Sequence, residues 1–268
     1  MSPATEVPHG DRPGRDAFFV EPYSAKELRF HIAGAVANGA LVVASLGWLA
    51  ATWGRHSLPW WGVALAVLAG VYVADLVSGL LHWAFDTWFN ENITFVRRMV
   101  LQVREHHVYP NRIFDIHFAH DAGTLSWIAL LLTGPVVAGA VFGAGTGSAL
   151  AAGAVVATSV FSVLLVFMLE THKCGHRARN PAWVRLLQKS GLLLSVPHHI
   201  RHHSGNHDVN YCIVNGWADR TLGRLGLFRG LERLVAGLSG AVPQENDHDW
   251  LRRFGRTVIG RVRRRLSA

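Results

Sequence analysis

The chain has 268 residues, a formal net charge of +8, and hydrophobic residues at half of its positions. The length fits one large domain or two small ones, but this hydrophobic fraction, together with a positive mean hydropathy, is high for a soluble protein. Residues 1–30 are polar, mix both charge signs and contain four prolines, so they are predicted to form a flexible tail. They lack the charged n-region and short apolar h-region of a cleavable signal peptide, so we expect the first apolar segment to be retained.

Four apolar stretches follow the tail, and each reaches the roughly 20 residues that cross a hydrocarbon core. They span residues 32–53, 61–83, 124–144 and 148–169, and none contains Lys or Arg. The sequence therefore predicts an all-α integral membrane protein with about four transmembrane helices. The membrane domain is expected to cover residues 31–250 and a basic tail residues 251–268. A soluble helical bundle could also have long apolar helices.

Basic residues lie almost entirely on one side of the predicted membrane. Of the 26 Lys and Arg residues, the connection between the first two spans holds only Arg55, and the connection between the last two holds none. By the positive-inside rule the other side is cytoplasmic, and it carries both termini. A soluble bundle would not need this asymmetry, which favours the multi-pass membrane interpretation.

Ten of the sixteen histidines form four short clusters, all on this predicted cytoplasmic side. The clusters are His82; His106 and His107; His172 and His176; and His198, His199, His202, His203 and His207. Neutral imidazole is the commonest metal ligand in proteins. We interpret the isolated His9, His31, His56 and His248 as ordinary structural histidines.

The spacing within the clusters supports metal binding. His172 and His176 are four residues apart, and the same interval recurs twice between His198 and His203, which places each pair on one helix face. So many nitrogen ligands are too many for one ion and predict two metal ions. Imidazole suits zinc, copper, iron and nickel. For chemistry on membrane lipid, iron is the best-motivated choice, because zinc has no redox chemistry.

Two acidic residues are further candidates for the site, whereas the two cysteines are not. Asp75 lies inside the second span, two helical turns before His82, and a charge at that depth is by default functional. We expect Asp75 to accept the second ring N–H of a ligand histidine, and we expect Glu170 to take part in the site as well. Cys174 and Cys212 form no CxxC pair and are expected to serve packing.

The motifs resemble the Kua family, which includes plasmanylethanolamine desaturases and a plastid desaturase of the palmitoyl chain of phosphatidylglycerol. The resemblance covers about residues 60–250. It is carried by the segment from Asp75 through Ser78-Gly79 to His82 and Asp86, by His106-His107 with Pro110, by His172 and His176, and by the His198–His207 cluster with the following Tyr211-Cys212-Ile213 and Gly216-Trp217. It implies a membrane-bound, O2-dependent lipid desaturase with two histidine-bound iron ions and a separate electron donor, cytochrome b5 or a ferredoxin-type protein.

One loop departs from the family pattern. The family histidine that follows the His-His-x-x-Pro motif aligns with Ile116, and the family glutamate aligns with His120. Either the loop shifts so that His117 or His120 becomes a ligand, or the coordination differs.

Three function classes therefore stay open: a desaturase, with vinyl ether formation ahead of acyl desaturation; a di-iron lipid hydroxylase; and a non-enzymatic metal-binding membrane protein. The basic C-terminus is expected to meet anionic lipid headgroups rather than nucleic acid.

Overall fold

The computed structural model describes residues 24–94, 96–143, 147–245 and 247–252, and these residues form helices without any β-strand. The α-helices are α1 (Ala25–Thr52), α2 (Trp60–Thr87), α3 (Arg97–Val108), α4 (Phe118–Ala138), α5 (Ala149–His176), α6 (Ala182–Lys189), α7 (Val196–His202) and α8 (Leu227–Ser239). A π-helical turn, Gly139–Gly143, extends α4. The prediction of an all-α fold is confirmed.

The four long helices α1, α2, α4 and α5 are each long and apolar enough to cross a membrane, which confirms the four predicted spans. Their outer faces expose large apolar side chains: Val43, Leu131 and Leu150 are between 72% and 83% exposed. Such a continuous apolar surface is typical of a bilayer-facing bundle. At 28 residues, α2 and α5 are each about 42 Å long, roughly 12 Å more than the hydrocarbon core requires.

The helix α1 begins inside the predicted N-terminal tail. Ser24 and Glu27 form a capping box, in which each side chain accepts from the other residue's backbone N–H. The last residues of the predicted tail are therefore helical, and the rest of it, residues 1–23, lies outside the described residues. The predicted basic tail also lies outside them beyond residue 252, and residues 247–252 are helical.

The helix α5 forms the centre of the bundle and packs against α1, α2 and α4, while α1 also packs against α4. The approach of α2 to α5 is close: a Cβ at Gly70 would lie 2.5 Å from the carbonyl oxygen of Ala157. Small residues allow membrane helices to approach in this way. One short connection joins α1 to α2, and another joins α4 to α5. Both connections lie on the same side of the bundle, so α2 and α5 run in the same direction and end at the same face. This face carries α3, α6, α7 and α8.

Candidate metal centre

Five histidines from three helical segments form the first metal-binding group, which lies where α5 ends. His106 comes from the last turn of α3, His172 and His176 from α5, and His199 and His203 from α7 and its C-cap. One ring nitrogen of each lies within 4.8 Å of the others. Among His106, His172, His176 and His199, four Nε2 to Nε2 distances lie between 2.6 Å, for His176 and His199, and 3.3 Å, for His172 and His176.

A second group lies beside the first and combines His82, Asp86, His107 and His202. The Nε2 atoms of His107 and His202 are 3.3 Å apart. The Asp86 carboxylate lies 3.5 to 3.7 Å from the Nε2 atoms of the three histidines. The ring centroids of His82 and His172, one from each group, are 5.5 Å apart, so the two groups are immediate neighbours.

In four histidines the outer ring nitrogen, Nδ1, is held by a hydrogen-bond acceptor. This fixes the direction of the lone pair on the other nitrogen, Nε2. His82 Nδ1 lies 2.9 Å from the carbonyl oxygen of Tyr211, and His202 Nδ1 lies 2.8 Å from that of Val209. His106 Nδ1 lies 3.2 Å from the carbonyl oxygen of Pro110, and His107 Nδ1 lies 2.6 Å from the carboxylate of Asp247. A carbonyl or carboxylate can only accept, so each Nδ1 carries the proton and each Nε2 presents a bare lone pair.

Bare nitrogens this close together fit a cation. His107 and His202 both lack a proton on Nε2, so their 3.3 Å contact cannot be a hydrogen bond. Both oxygens of the buried Asp86 carboxylate also lack a hydrogen-bond donor among the described residues. Ligand bonds of about 2.1 Å would place neighbouring nitrogens about 3.0 to 3.4 Å apart, close to the observed distances. The residues present therefore fit one divalent ion in each group.

The rings outside the membrane-spanning helices are held neutral. Burial lowers the pKa of His106, His107 and His199 well below the usual value, and neighbouring imidazoles lower it further. The pKa values of His202 and His203 are also lowered well below the usual value by burial. A neutral imidazole is the form that binds a metal.

An apolar cavity of about 110 Å³ reaches both groups. Its walls come from α2, α3, α4 and α5, and His82, His106 and His172 form part of them. On α4 the lining extends from His120 in the first turn to Ile128, about 12 Å along the helix axis. Long apolar pockets with few polar groups suit the hydrocarbon chain of a ligand.

Comparison with known proteins assigns the family. Residues 71–246 match the lipid desaturase domain. The chain belongs to the lipid desaturase family. It is therefore an oxidoreductase that acts on a lipid with O2, in agreement with the family resemblance of its motifs.

Several curated relatives of this lipid desaturase support the assignment. Plasmanylethanolamine desaturase 1 of Mus musculus is 32% identical over 197 residues, covering 72% of each chain. Plasmanylethanolamine desaturase of Myxococcus xanthus is 31% identical over 199 residues, covering 73% of this chain and 68% of its own. The chloroplastic fatty acid desaturase 4-like 1 of Arabidopsis thaliana is 29% identical over 197 residues, covering 71% of this chain and 63% of its own. No solved structure matches the chain significantly.

The desaturase motif around Asp75 has a positioning role in the structure. The Asp75 carboxylate accepts the backbone N–H groups of Asn215, Gly216 and Ala218 at 2.8 to 2.9 Å, instead of the predicted ring N–H of a histidine. Asp75 on α2 thus holds the segment 209–219, in which the carbonyls of Val209 and Tyr211 orient ring nitrogens of His202 and His82 in the second group. Ser78 adds a further bond by accepting the N–H of Ile213 at 3.0 Å.

Four other predicted residues lie outside both groups. Glu170 accepts from Lys173 Nζ at 2.7 Å, and its carboxylate is one-third exposed. His117 caps α4 by accepting the N–H of Ala119. His120 faces the cavity, with its ring 6.0 Å from that of His31. His198 bonds to Asp219 at 2.9 Å.

His207 lies beside the second group. Its ring stacks on that of His107 with centroids 4.0 Å apart, and its Nδ1 lies 3.8 Å from Asp247. Burial lowers the pKa of His207 to about 4. His207, His107 and Asp247 are close enough to form a third potential set of ligands, which shares His107 with the second group.

The sequence interpretation missed the two carboxylates closest to the histidines. Asp86 lies four residues after His82, and the i, i+4 rule that paired the histidines would have found it. Asp247 is 140 residues from His107 and gives no local signal.

Proposed function

We propose that this desaturase uses two iron ions to introduce a vinyl ether double bond into the ether-linked alkyl chain of a phospholipid. The observation that carries the proposal is that one apolar cavity touches histidines of both groups. The names of the mouse and Myxococcus relatives, plasmanylethanolamine desaturases, point to the same substrate class.

Iron is the metal that this reaction requires. Imidazole and carboxylate ligands suit iron, whereas zinc has no redox chemistry. Iron bound in the two groups would supply the O2 activation needed to break an unactivated C–H bond. The chain's own residues contribute a dry cavity, fixed ligand orientations and one buried carboxylate, Asp86, which offsets positive charge.

The depth of the site favours carbons close to the lipid headgroup. His172 lies four residues before the end of α5, and His82 lies five residues before the end of α2. Both are therefore about 6 to 8 Å from the helix ends along the axis. The cavity continues past them toward Ile128, into the apolar part of the bundle. A chain lying in it would bring its first carbons next to the metals and leave its tail in the bilayer.

The overall balance needs an external reductant. Two hydrogens leave neighbouring carbons of the chain, and O2 is reduced to two waters with two electrons from the chain and two from the donor. We propose cytochrome b5 or a ferredoxin-type protein as that donor. The charge asymmetry supports a cytoplasmic location for the metal groups and both termini.

Acyl desaturation is the second candidate, because the Arabidopsis relatives are named fatty acid desaturases. Carbons near an acyl carboxyl group would also fit the depth of the site. Hydroxylation of the same lipid is the third candidate, whereas a non-enzymatic metal-binding role does not agree with the family assignment.

Lipid mass spectrometry tests the proposal. The phospholipids of a host supplied with alkylglycerol are compared between cells with and without the gene. The His202→Ala variant is the inactive control. Vinyl ether formation gives a phospholipid that is 2 Da lighter and is cleaved by mild acid. An acid-stable loss of 2 Da means acyl desaturation, and a gain of one oxygen means hydroxylation; either result overturns the vinyl ether assignment.

A further inference from the structure

The segment after α8 folds back over the metal centre. We call residues 244, 245 and 247–252 the C-terminal strap. Gln244 donates its backbone N–H to the carbonyl oxygen of Thr87 at 2.9 Å and its side-chain amide to that of Phe85 at 3.2 Å. Both carbonyls belong to the last turn of α2, which also carries Asp86. The strap therefore caps the helix end that forms one side of the second metal group.

The strap is anchored by a buried tryptophan. Trp250 is 0% exposed, and its Nε1 donates to Glu91 at 3.2 Å. The guanidinium of Arg104 lies 5.0 Å from the Trp250 ring centroid, a cation–π distance. Arg104 is itself buried on α3, three residues before His107. The strap is thus anchored in the folded core through Trp250 and Asp247, which are buried.

Asp247 connects the strap to the second group. One carboxylate oxygen accepts from Arg104 Nη1 at 2.9 Å, and the other accepts from His107 Nδ1 at 2.6 Å. The second bond fixes the proton on Nδ1 and turns the lone pair of Nε2 toward Asp86 and His202. A carboxylate behind a ligand histidine orients the ring and raises its basicity.

The first group shares α3 and the α7 segment with the second group but has no strap residue among its members. Its five imidazoles come from α3, α5 and the α7 segment, and the outer nitrogen of His106 is held by the carbonyl of Pro110. In the described part of the chain, the bond from a ring nitrogen to Asp247 of the strap is made by His107, a member of the second group. The two groups should therefore respond differently when the strap is changed.

We propose that the C-terminal strap completes the second metal position through Asp247, a positioning residue for His107, and that the first position forms without it. This inference rests on the proposed two-metal function. It goes beyond the matched family domain, which ends at residue 246. Loss of the Asp247 carboxylate should leave a protein that binds one ion tightly.

Metal titration of the purified full-length protein tests this inference. Cobalt(II) is added to the metal-free protein under anaerobic conditions, and visible absorption and bound metal are measured for each equivalent. Wild type should bind two equivalents. In Asp247→Ala the second equivalent should bind about 10- to 100-fold more weakly, the usual effect of losing a carboxylate behind a ligand histidine. Asp247→Asn keeps an acceptor oxygen and should lose less.

The control is Asp249→Asn, since Asp249 lies in the same strap but pairs with Arg252 at the surface. It should bind both ions as wild type does. Retention of the first ion by Asp247→Ala shows that the variant is folded. The inference is overturned if Asp247→Ala binds both ions with wild-type affinity, or if Asp247→Asn and Asp247→Ala lose both ions together. Failure of the wild type to bind two ions would instead refute the two-metal function itself.

Discussion

Replacing Asp75 with alanine should destabilise the protein strongly, although Asp75 touches no member of either metal group. The side chain is 0% exposed and accepts three backbone N–H groups of the loop 209–219. Asn215 and Ala218, which supply two of them, are at most 1% exposed, so water cannot replace the lost acceptor. An orphaned buried donor costs about 1 to 3 kcal/mol. Three of them should cost at least about 3 kcal/mol in the free energy of unfolding.

Asp75→Asn separates geometry from charge. Asn215 and Gly216 both donate to Oδ1, so an asparagine oxygen placed there keeps two bonds, while its amide NH2 would face the N–H of Ala218. We expect a loss of about 1 to 3 kcal/mol, the cost of one unsatisfied donor.

Denaturant unfolding of the metal-free, detergent-solubilised protein measures both changes without a contribution from metal binding. Asp208→Asn is the control, because its pair with Arg229 is exposed on both sides, and it should change stability by less than about 0.5 kcal/mol. An Asp75→Ala variant as stable as this control would refute the positioning role.

Three further experiments test the site. Asp86→Asn should remove desaturase activity and weaken the binding of one metal ion only, since Asp86 belongs to the second group alone. Metal content after dialysis measures this change. Loss of both ions would contradict the two-group arrangement. His202→Gln should abolish activity, whereas His198→Gln should stay active. The two residues are one turn apart, but His202 belongs to the second metal-binding group and His198 bonds to Asp219 instead. Equal effects in a lipid assay would contradict the assignment. Ile128→Trp should fill the cavity and lower turnover, with unchanged metal content. Leu131→Trp, at an exposed position on the same helix, should leave turnover unchanged. Equal turnover of the two variants would argue against the cavity as the chain-binding site.

The sequence predicted the spans and most of the histidines because both follow local periodicity. The i, i+4 interval put His172 and His176 on one face of α5, as expected. The pattern could not show that His198 turns away. On a helix the positions of His198, His199, His202 and His203 cover about 140°, more than the roughly 100° stripe that one face presents to a neighbour. The structure places the outermost, His198, against Asp219.

The role of Asp75 and the presence of Asp247 were beyond sequence reasoning for a different reason. Depth in the span marked Asp75 as important, but its partners are backbone groups 140 to 143 residues away, which carry no residue-type signal. Asp247 meets His107 through a similar long-range contact. Contacts of this kind are set by the packing of α2, α3 and the strap, and a single sequence shows periodicity but not packing.

The length of α2 and α5 explains how one site can serve both an apolar chain and water-borne reactants. Because each helix extends about 12 Å beyond the hydrocarbon thickness, its last turns lie at the boundary between lipid and water. His82, His106 and His172 face the apolar cavity from the bundle side. His176 and His203 are half-buried and do not line the cavity. A hydrocarbon chain can therefore approach from within the bilayer while electrons and protons arrive from the aqueous side, without either path crossing the other.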